Sequence, residues 1–443
     1  MFIDFTREGA VASYEILCNF LDERVNEKPL TLYNNITWFC TERRKVIDSL
    51  TEDETKILTS KVKSRLQWEA NLAHRLNNRW GLVCMATGTG KSKTAIDAIR
   101  SLVGYRPEAR VLIVVPTAKL RDKTWRDEFK EWGAEDVWEN NVEKICYASL
   151  KKKEGCRYDF VVFDEVHNLT VKSADFLLFN QIDHCMALTA TPPKNSFKQM
   201  LLAKFKLQMV YEITLDQAVD LGVVSPYEIT VITTELDKVR RNIEVKTKAK
   251  HFFTTEHNNY AYYAKIENSE DSRVKARVGK FFYINRMRFI YNLTSKIEAA
   301  EWLLKNIIPL NRRTLIFCGS ITHADRLSLH TYHSKSGSEG YDLFVDGTVD
   351  RLACVEALNE GDNIPNVDIA FIEQLNSNGL DLIQRIGRIL RFRVGHVGRI
   401  VILCVKGTVD AKWTIEALAG LDRSKIRWID YKDIVEGKEV LTF

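Results

Sequence analysis

A chain of 443 residues is long enough for two or three domains with cores of their own, and 45% hydrophobic with 28% charged residues excludes a disordered or low-complexity polypeptide. The formal charge of +5 permits a polyanion partner without demanding one, and nine scattered cysteines with no Cys-x-x-Cys pair read as reduced thiols rather than disulfides or zinc ligands. No apolar run approaches a membrane span, and the opening Met1-Phe-Ile-Asp-Phe-Thr-Arg-Glu8 carries acids where a secretory leader would not, so a cytoplasmic protein with no membrane partner is expected.

Residues 1–60 read as helical, over Val11–Arg24 and Thr41–Ser60, around a connection near Pro29–Asn35. No chemistry is legible there, and a helical accessory region is expected. Arg65-Leu-Gln67-Trp68-Glu69-Ala70 opens a further helix. The Gln67 amide could bond both edges of an adenine beside a phosphate site, but on residue type alone a solvated helix polar is the plainer reading.

Gly81-Leu-Val-Cys-Met85 then reads as a short apolar strand and Lys93–Leu102 as a helix, with Ala86-Thr87-Gly88-Thr89-Gly90-Lys91-Ser92 between them. Strand, glycine-rich turn and helix in that order make a phosphate-binding loop. Gly88 and Gly90 lack a Cβ, so the turn can point successive N–H groups inward and let phosphate oxygens approach. The helix adds free N–H groups and its positive dipole end. Lys91 is placed for the β- and γ-phosphates and Ser92 for Mg²⁺. Met85 stands where the usual loop opens with glycine.

From this loop to about Leu221 strands alternate with helices, which predicts a parallel sheet covered on both faces. Candidate strands are Val111–Val115, Lys144–Tyr147, Phe160–Phe163 and Met186–Leu188. Asp164-Glu165-Val166-His167 follows the third. An acid at a strand tip beside a phosphate loop can hold Mg²⁺, and its neighbour can deprotonate the attacking water. Asp164 is therefore the candidate metal residue and Glu165 the candidate base.

Between about Leu236 and Asn292 the alternation breaks. This span mixes cations (Lys238, Arg240, Arg241, Lys246, Lys248 and Lys250 among them) with aromatics such as Phe252, Phe253, Tyr260, Tyr263 and Phe282. Charge that tracks phosphates and rings that stack bases suit single-strand binding; a helical insertion whose aromatics form its own small core fits equally. Arg312–Cys318 reads as a strand of a second sheet, and Arg399–Cys404 as another buried strand. Arg385, Arg388 and Arg391 recur every three residues, so they share one side of a helix and could enter a cleft together. The tail from Thr408, with Trp413 and Trp428, reads as a cap on the second domain.

The set as a whole resembles the superfamily 2 helicases. Met85–Ser92, Asp164–His167 and Leu188-Thr-Ala-Thr-Pro-Pro193 look like their motifs I, II and III, Val115-Pro-Thr117 like motif Ia, and Tyr147-Ala-Ser-Leu150 like the contact loop after it. Arg312–Cys318 is similar to motif IV, Val355–Asn366 to motif V and Gln384–Arg391 to motif VI. The resemblance makes Gln67 the adenine reader and brings Thr87, Thr89, Gly361 and Asn363 into the nucleotide site. Asn363 stands where that motif usually has an acid. It places Pro116, Thr117 and Ser149 on a nucleic-acid track, makes His167, Thr189 and Thr191 coupling residues, and makes Arg388 and Arg391 arginine fingers with Gln384 closing the site.

It implies an α/β fold of two RecA-like parallel-sheet motor domains with an N-terminal helical region and a helical insertion. The expected segments are 1–60 for the accessory region, 61–225 for the first motor domain, 236–292 for the insertion and 293–443 for the second. ATP and Mg²⁺ are the implied cofactors. The implied activity is ATP-driven unwinding or branch migration of single-stranded, forked or branched DNA. Within the superfamily the chain looks most like small phage recombination helicases, which would put it in the host cytoplasm; recombination or replication proteins suit such a role, but no residue points to one. An RNA helicase of the same superfamily and a nucleic-acid-binding scaffold with a vestigial ATPase are the alternatives.

Overall fold

In the computed structural model the structure describes residues 7–22, 31–192, 195–246, 251–267, 272–355, 364, 366–375, 382, 387 and 392–443. They form two compact units that meet in the sequence at Pro226 and Tyr227.

The first unit opens with helices α1 (Arg7–Asp22), α2 (Thr31–Asn34) and α3 (Ile36–Val46), followed by the long α4 (Glu52–Leu76). The stretch 41–60, read as one helix, is broken. Thr51 is an N-cap whose hydroxyl accepts from Glu54 N, while Glu54 Oε2 accepts from Thr51 N at 2.7 Å, so a new helix starts there. That helix runs on across the expected boundary at residue 60 and carries Gln67 on its buried side. Leu17, Leu21, Leu32 and Phe39 pack between these helices, and a buried Arg65–Glu69 ion pair at 2.8 Å is completed by Leu32 N donating to Glu69 Oε1.

The six strands of this unit are β1 (Trp80–Met85), β2 (Val111–Val115), β3 (Val142–Cys146), β4 (Arg157–Phe163), β5 (Gln181–Thr189) and β6 (Met209–Ile213). All pair in parallel, in the order β3-β2-β4-β5-β1-β6. Val111-Leu-Ile-Val-Val115 is buried throughout, the continuous apolar run that a strand covered on both faces requires. β6, short and half-polar, was absent from the candidate strands. The order matters for chemistry. It seats β4, β5 and β1 side by side, so the loops leaving their carboxyl ends are neighbours although those ends, at residues 163, 189 and 85, are far apart in the chain.

The second unit holds β7 (Tyr227–Thr234), β8 (Ile243–Lys246), β9 (His251–Thr254), β10 (Thr314–Phe317), β11 (Thr331–Tyr332), β12 (Arg351–Cys354), β13 (Ile369–Ile372), β14 (Gly398–Val405) and β15 (Ile426–Asp430). Its main sheet has the order β11-β12-β10-β13-β14-β7-β15, again parallel. β15 makes the tail an edge strand of this sheet as well as a cap. β8 and β9 stand apart as a two-stranded antiparallel hairpin. The span 236–292, expected to be helical, thus begins with this hairpin before its helices Glu256–Glu267 and Ser272–Tyr291. Beside the ends of β13 and β14, Lys296 Nζ donates to Asp410 Oδ2 (2.8 Å) and Gln374 Oε1 (2.7 Å), with both charged side chains fully buried.

Candidate nucleotide site

The turn after β1 takes the shape its glycines allow. Gly88 and Gly90 have φ of +87° and +94°, left-handed values that an L side chain rarely adopts. Thr89, fully buried, closes the turn by donating from Oγ1 to Ala86 O at 2.7 Å. Helix α5 (Lys91–Tyr105) starts directly behind it, with Gly90 as N-cap offering no side-chain partner. The first N–H groups of α5 therefore face the loop, which is what an anion needs.

Gln67 reaches this turn from α4. Its Nε2 donates to Thr89 O at 3.2 Å, and a Cβ on Gly90 would collide with the same amide. The adenine-reading candidate therefore lies against the loop. A cavity of about 670 Å³ opens beside it between α4 and α5, lined by Gln67, Trp68, Asn71, Gly90, Lys93 and Trp132 among others. Its size and mixed lining suit a small ligand.

Lys91 Nζ lies 3.3 Å from Glu165 Oε1, with both side chains mostly buried. Glu165 sits at φ +48°, an uncommon value for a non-glycine residue and one that turns its carboxylate back toward the loop after β1. Its second oxygen is buried with no hydrogen-bond partner, while His167 Nδ1 stands 3.5 Å away. Asp164 is tied down on three sides. Its N donates to Val114 O, Trp125 Nε1 donates to its Oδ2 and Tyr147 Oη to its carbonyl, each at 2.9 Å. Burial pushes its carboxyl up to about 6, and the neighbouring Glu165 adds to the shift. Thr189 and Thr191, after β5, bond each other: Thr189 Oγ1 donates to Thr191 O at 3.0 Å.

A magnesium ion fits this donor set. Ser92 and Asp164 would offer one hydroxyl and one carboxylate, the few protein oxygens used by an ion that brings phosphate and water with it, and the Glu165 oxygen with no partner would be open to a coordinated or attacking water.

Of the other expected residues, Pro116 and Thr117 follow β2, and Ser149 lies in the 3₁₀ turn Tyr147–Lys153 after β3. They occupy the same carboxyl edge of the sheet, on the β2–β3 side. Gly361, Asn363, Gln384, Arg388 and Arg391 lie outside the described residues. Two contributors carried no sequence signal. Trp125, in the helix after β2, positions Asp164 across 39 residues of chain. Arg43, on α3, lays its guanidinium over Gly222, where φ is +71° and any Cβ would clash with it. Thr59 Oγ1 donates to Gly222 O at 3.0 Å, and two residues on, Val224 packs where a Gly88 Cβ would meet it at 3.5 Å. The N-terminal helices thus brace the segment that backs the phosphate loop.

Residues 52–194 match the family model for the type III restriction enzyme res subunit, and residues 295–393 match the helicase conserved C-terminal domain. The chain belongs to the superfamily 2 helicases. The helicase is 23% identical over 399 residues to the DNA 3'-5' translocase XPB2 of Sulfurisphaera tokodaii, covering 82% of this chain and 86% of that relative. It is 22% identical over 448 residues to the transcription-repair-coupling factor of Buchnera aphidicola, covering 94% of this chain but only 54% of that protein. Among solved structures it resembles the ATP-dependent type ISP restriction-modification enzyme LlaBIII bound to DNA, with a TM-score of 0.54 at 17% identity over 82% of this chain and 31% of that one. That likeness concerns the fold: two parallel-sheet α/β units, as the helicase shows.

Proposed function

We propose that this helicase is an ATP-driven DNA translocase that unwinds or remodels branched DNA, with motor halves at 61–225 and 293–443. The observation that carries the reading is the meeting of Lys91 and Glu165 at 3.3 Å, where the loops after β1 and β4 come together across the end of β5. A lysine for phosphate and a base for water share one small space there. Choice of DNA is supported by a relative that is itself a DNA translocase and matches most of both lengths.

In this reading the α5 N-terminus and Lys91 bind the phosphates, while Gln67 and the cavity beside it take the base. Ser92 and Asp164 would hold magnesium, which supplies charge screening at the β- and γ-phosphates. Entering phosphate draws Lys91 from Glu165, freeing that carboxylate to orient water and take its proton. Gln384, Arg388 and Arg391 are proposed to complete the site, with Gly361 and Asn363 beside the nucleotide. Thr189, Thr191 and His167 pass the change to Pro116, Thr117 and Ser149 on the DNA track.

The test is ATPase activity with single-stranded DNA, duplex DNA, a four-way junction and RNA. Stimulation by DNA, strongest with the junction, is expected. Lys91→Ala should abolish it, and Glu165→Gln should keep ATP binding while losing at least about 100-fold in turnover. Stimulation by RNA alone would overturn the choice of substrate; none by any polymer would return the chain to a scaffold.

A further inference from the structure

The aromatics between 236 and 292 separate into two groups. Tyr260 and Phe282 are 7% exposed; Tyr263 stacks on Phe289 with centroids 5.9 Å apart and packs on Phe282 at 5.3 Å. Val409 N donates to Tyr260 Oη, fastening the first helix to the second unit. These rings are core. Tyr262 and Tyr283 are 59% and 49% exposed, yet each packs edge-on against a neighbour of that cluster, Tyr263 or Phe282. Phe252 and Phe253 lie outside the cluster: adjacent on β9, they are 46% and 55% exposed. Phe252 pairs with Val245 and Phe253 with Glu244, so the two rings project from opposite faces of the hairpin.

The base of the hairpin is held firmly. Just after it, the fully buried Glu256 accepts from Asp237 N, Ser295 N and Ser295 Oγ. Just before it, Asp237 accepts from the backbone of Val239 and Arg240, and Arg240 makes a two-pronged pair with Glu298 at 2.7 and 2.8 Å. Two phenyl rings on a clamped support thus leave about half of their apolar surface open to a partner. Along Lys238–Lys246 the chain carries Lys238, Arg240, Arg241 and Lys246 against the single acid Glu244, and of these Arg240 is already held by Asp237 and Glu298.

We propose that the β8–β9 hairpin is a stacking element for unpaired DNA bases, with Phe252 and Phe253 against base faces and cations such as Arg241 and Lys246 along the phosphates. Flat apolar rings select unstacked bases over a closed duplex, whose base faces are already covered. This rests on the DNA-translocase reading and adds to it where the strand is gripped.

The test uses the full-length protein with single-stranded DNA carrying 2-aminopurine, and duplex DNA of the same length. Phe252→Ala/Phe253→Ala should lose about tenfold or more in single-strand affinity per stacked ring, with duplex affinity nearly kept. The 2-aminopurine signal change seen with wild type should vanish, and Phe252→Trp/Phe253→Trp should restore both. The salt dependence of binding should keep its slope, because no phosphate contact is removed. An unchanged thermal transition would show that the rings are not part of the core. Equal losses on both DNAs, or no loss on either, would overturn the assignment. So would binding of wild type to phosphatidylserine vesicles that disappears in the double alanine variant while single-strand affinity stays. If wild-type ATPase responds to DNA and these variants bind normally, the hairpin proposal alone fails; if it responds to no DNA, the translocase reading itself falls.

Discussion

At residue scale the site is shaped by what surrounds its carboxylates. Asp164 has lost most of its water and faces the Glu165 carboxylate, so its charged form is disfavoured and its carboxyl is pushed up to about 6. Magnesium needs the ionised form. The free protein should therefore take up Mg·nucleotide readily at pH 7.5 and progressively less as the pH falls through about 6. Titrating a fluorescent ATP analogue with magnesium between pH 7.5 and 5 reads this directly. The step should be absent in Asp164→Asn; a step that persists in that variant would assign the titration to another group.

At the scale of elements, charged groups in the second unit act as internal fasteners. Lys296 joins its helix, Thr294–Asn306, to Gln374 after β13 and to Asp410 in the helix after β14, and Asp410 Oδ2 also accepts from Val405 N at the end of β14. A buried pair of this kind adds little against an apolar replacement of both partners, but losing one member strands the other's charge. Lys296→Met should cost about 3–5 kcal/mol in urea unfolding. Lys296→Met/Asp410→Leu should recover much of that loss; a double variant as unstable as the single one would show that shape, not charge, is at stake. The Arg43–Gly222 contact in the first unit is a fastener of another kind, a cation seated where only glycine leaves room.

For the whole molecule, the proposed chemistry is divided between the two matched regions of the chain. In the proposed reading phosphate binding, metal ligation and the base fall to residues 61–225, and Arg388 and Arg391 come from the matched C-terminal helicase region. If they serve as fingers, nucleotide affinity and turnover must separate. Arg388→Ala and Arg391→Ala should hold ATP affinity within a few fold of wild type while DNA-stimulated kcat drops by about 10³ or more. Near-normal kcat in either variant would remove that residue from the transition state.

The amino-acid sequence by itself determined the chemistry that is compact along the chain. The phosphate loop, the Asp164-Glu165 pair and five of the six strands of the first sheet were legible because each depends on neighbours a few residues away: apolar runs, glycines at a turn, acids at a strand tip. Only the tertiary structure decided what depends on residues far apart. It put Trp125 on Asp164, Arg43 on Gly222 and Lys296 on Asp410, contacts across 39, 179 and 114 positions for which local composition carries no signal. It also placed β7, whose Tyr227-Glu-Ile-Thr-Val-Ile-Thr-Thr234 could belong to either sheet, between β14 and β15. And it sorted one list of aromatics into buried rings such as Tyr260 and Phe282 and exposed ones, Phe252, Phe253, Tyr262 and Tyr283, since burial is a property of what folds over a residue, not of the residue.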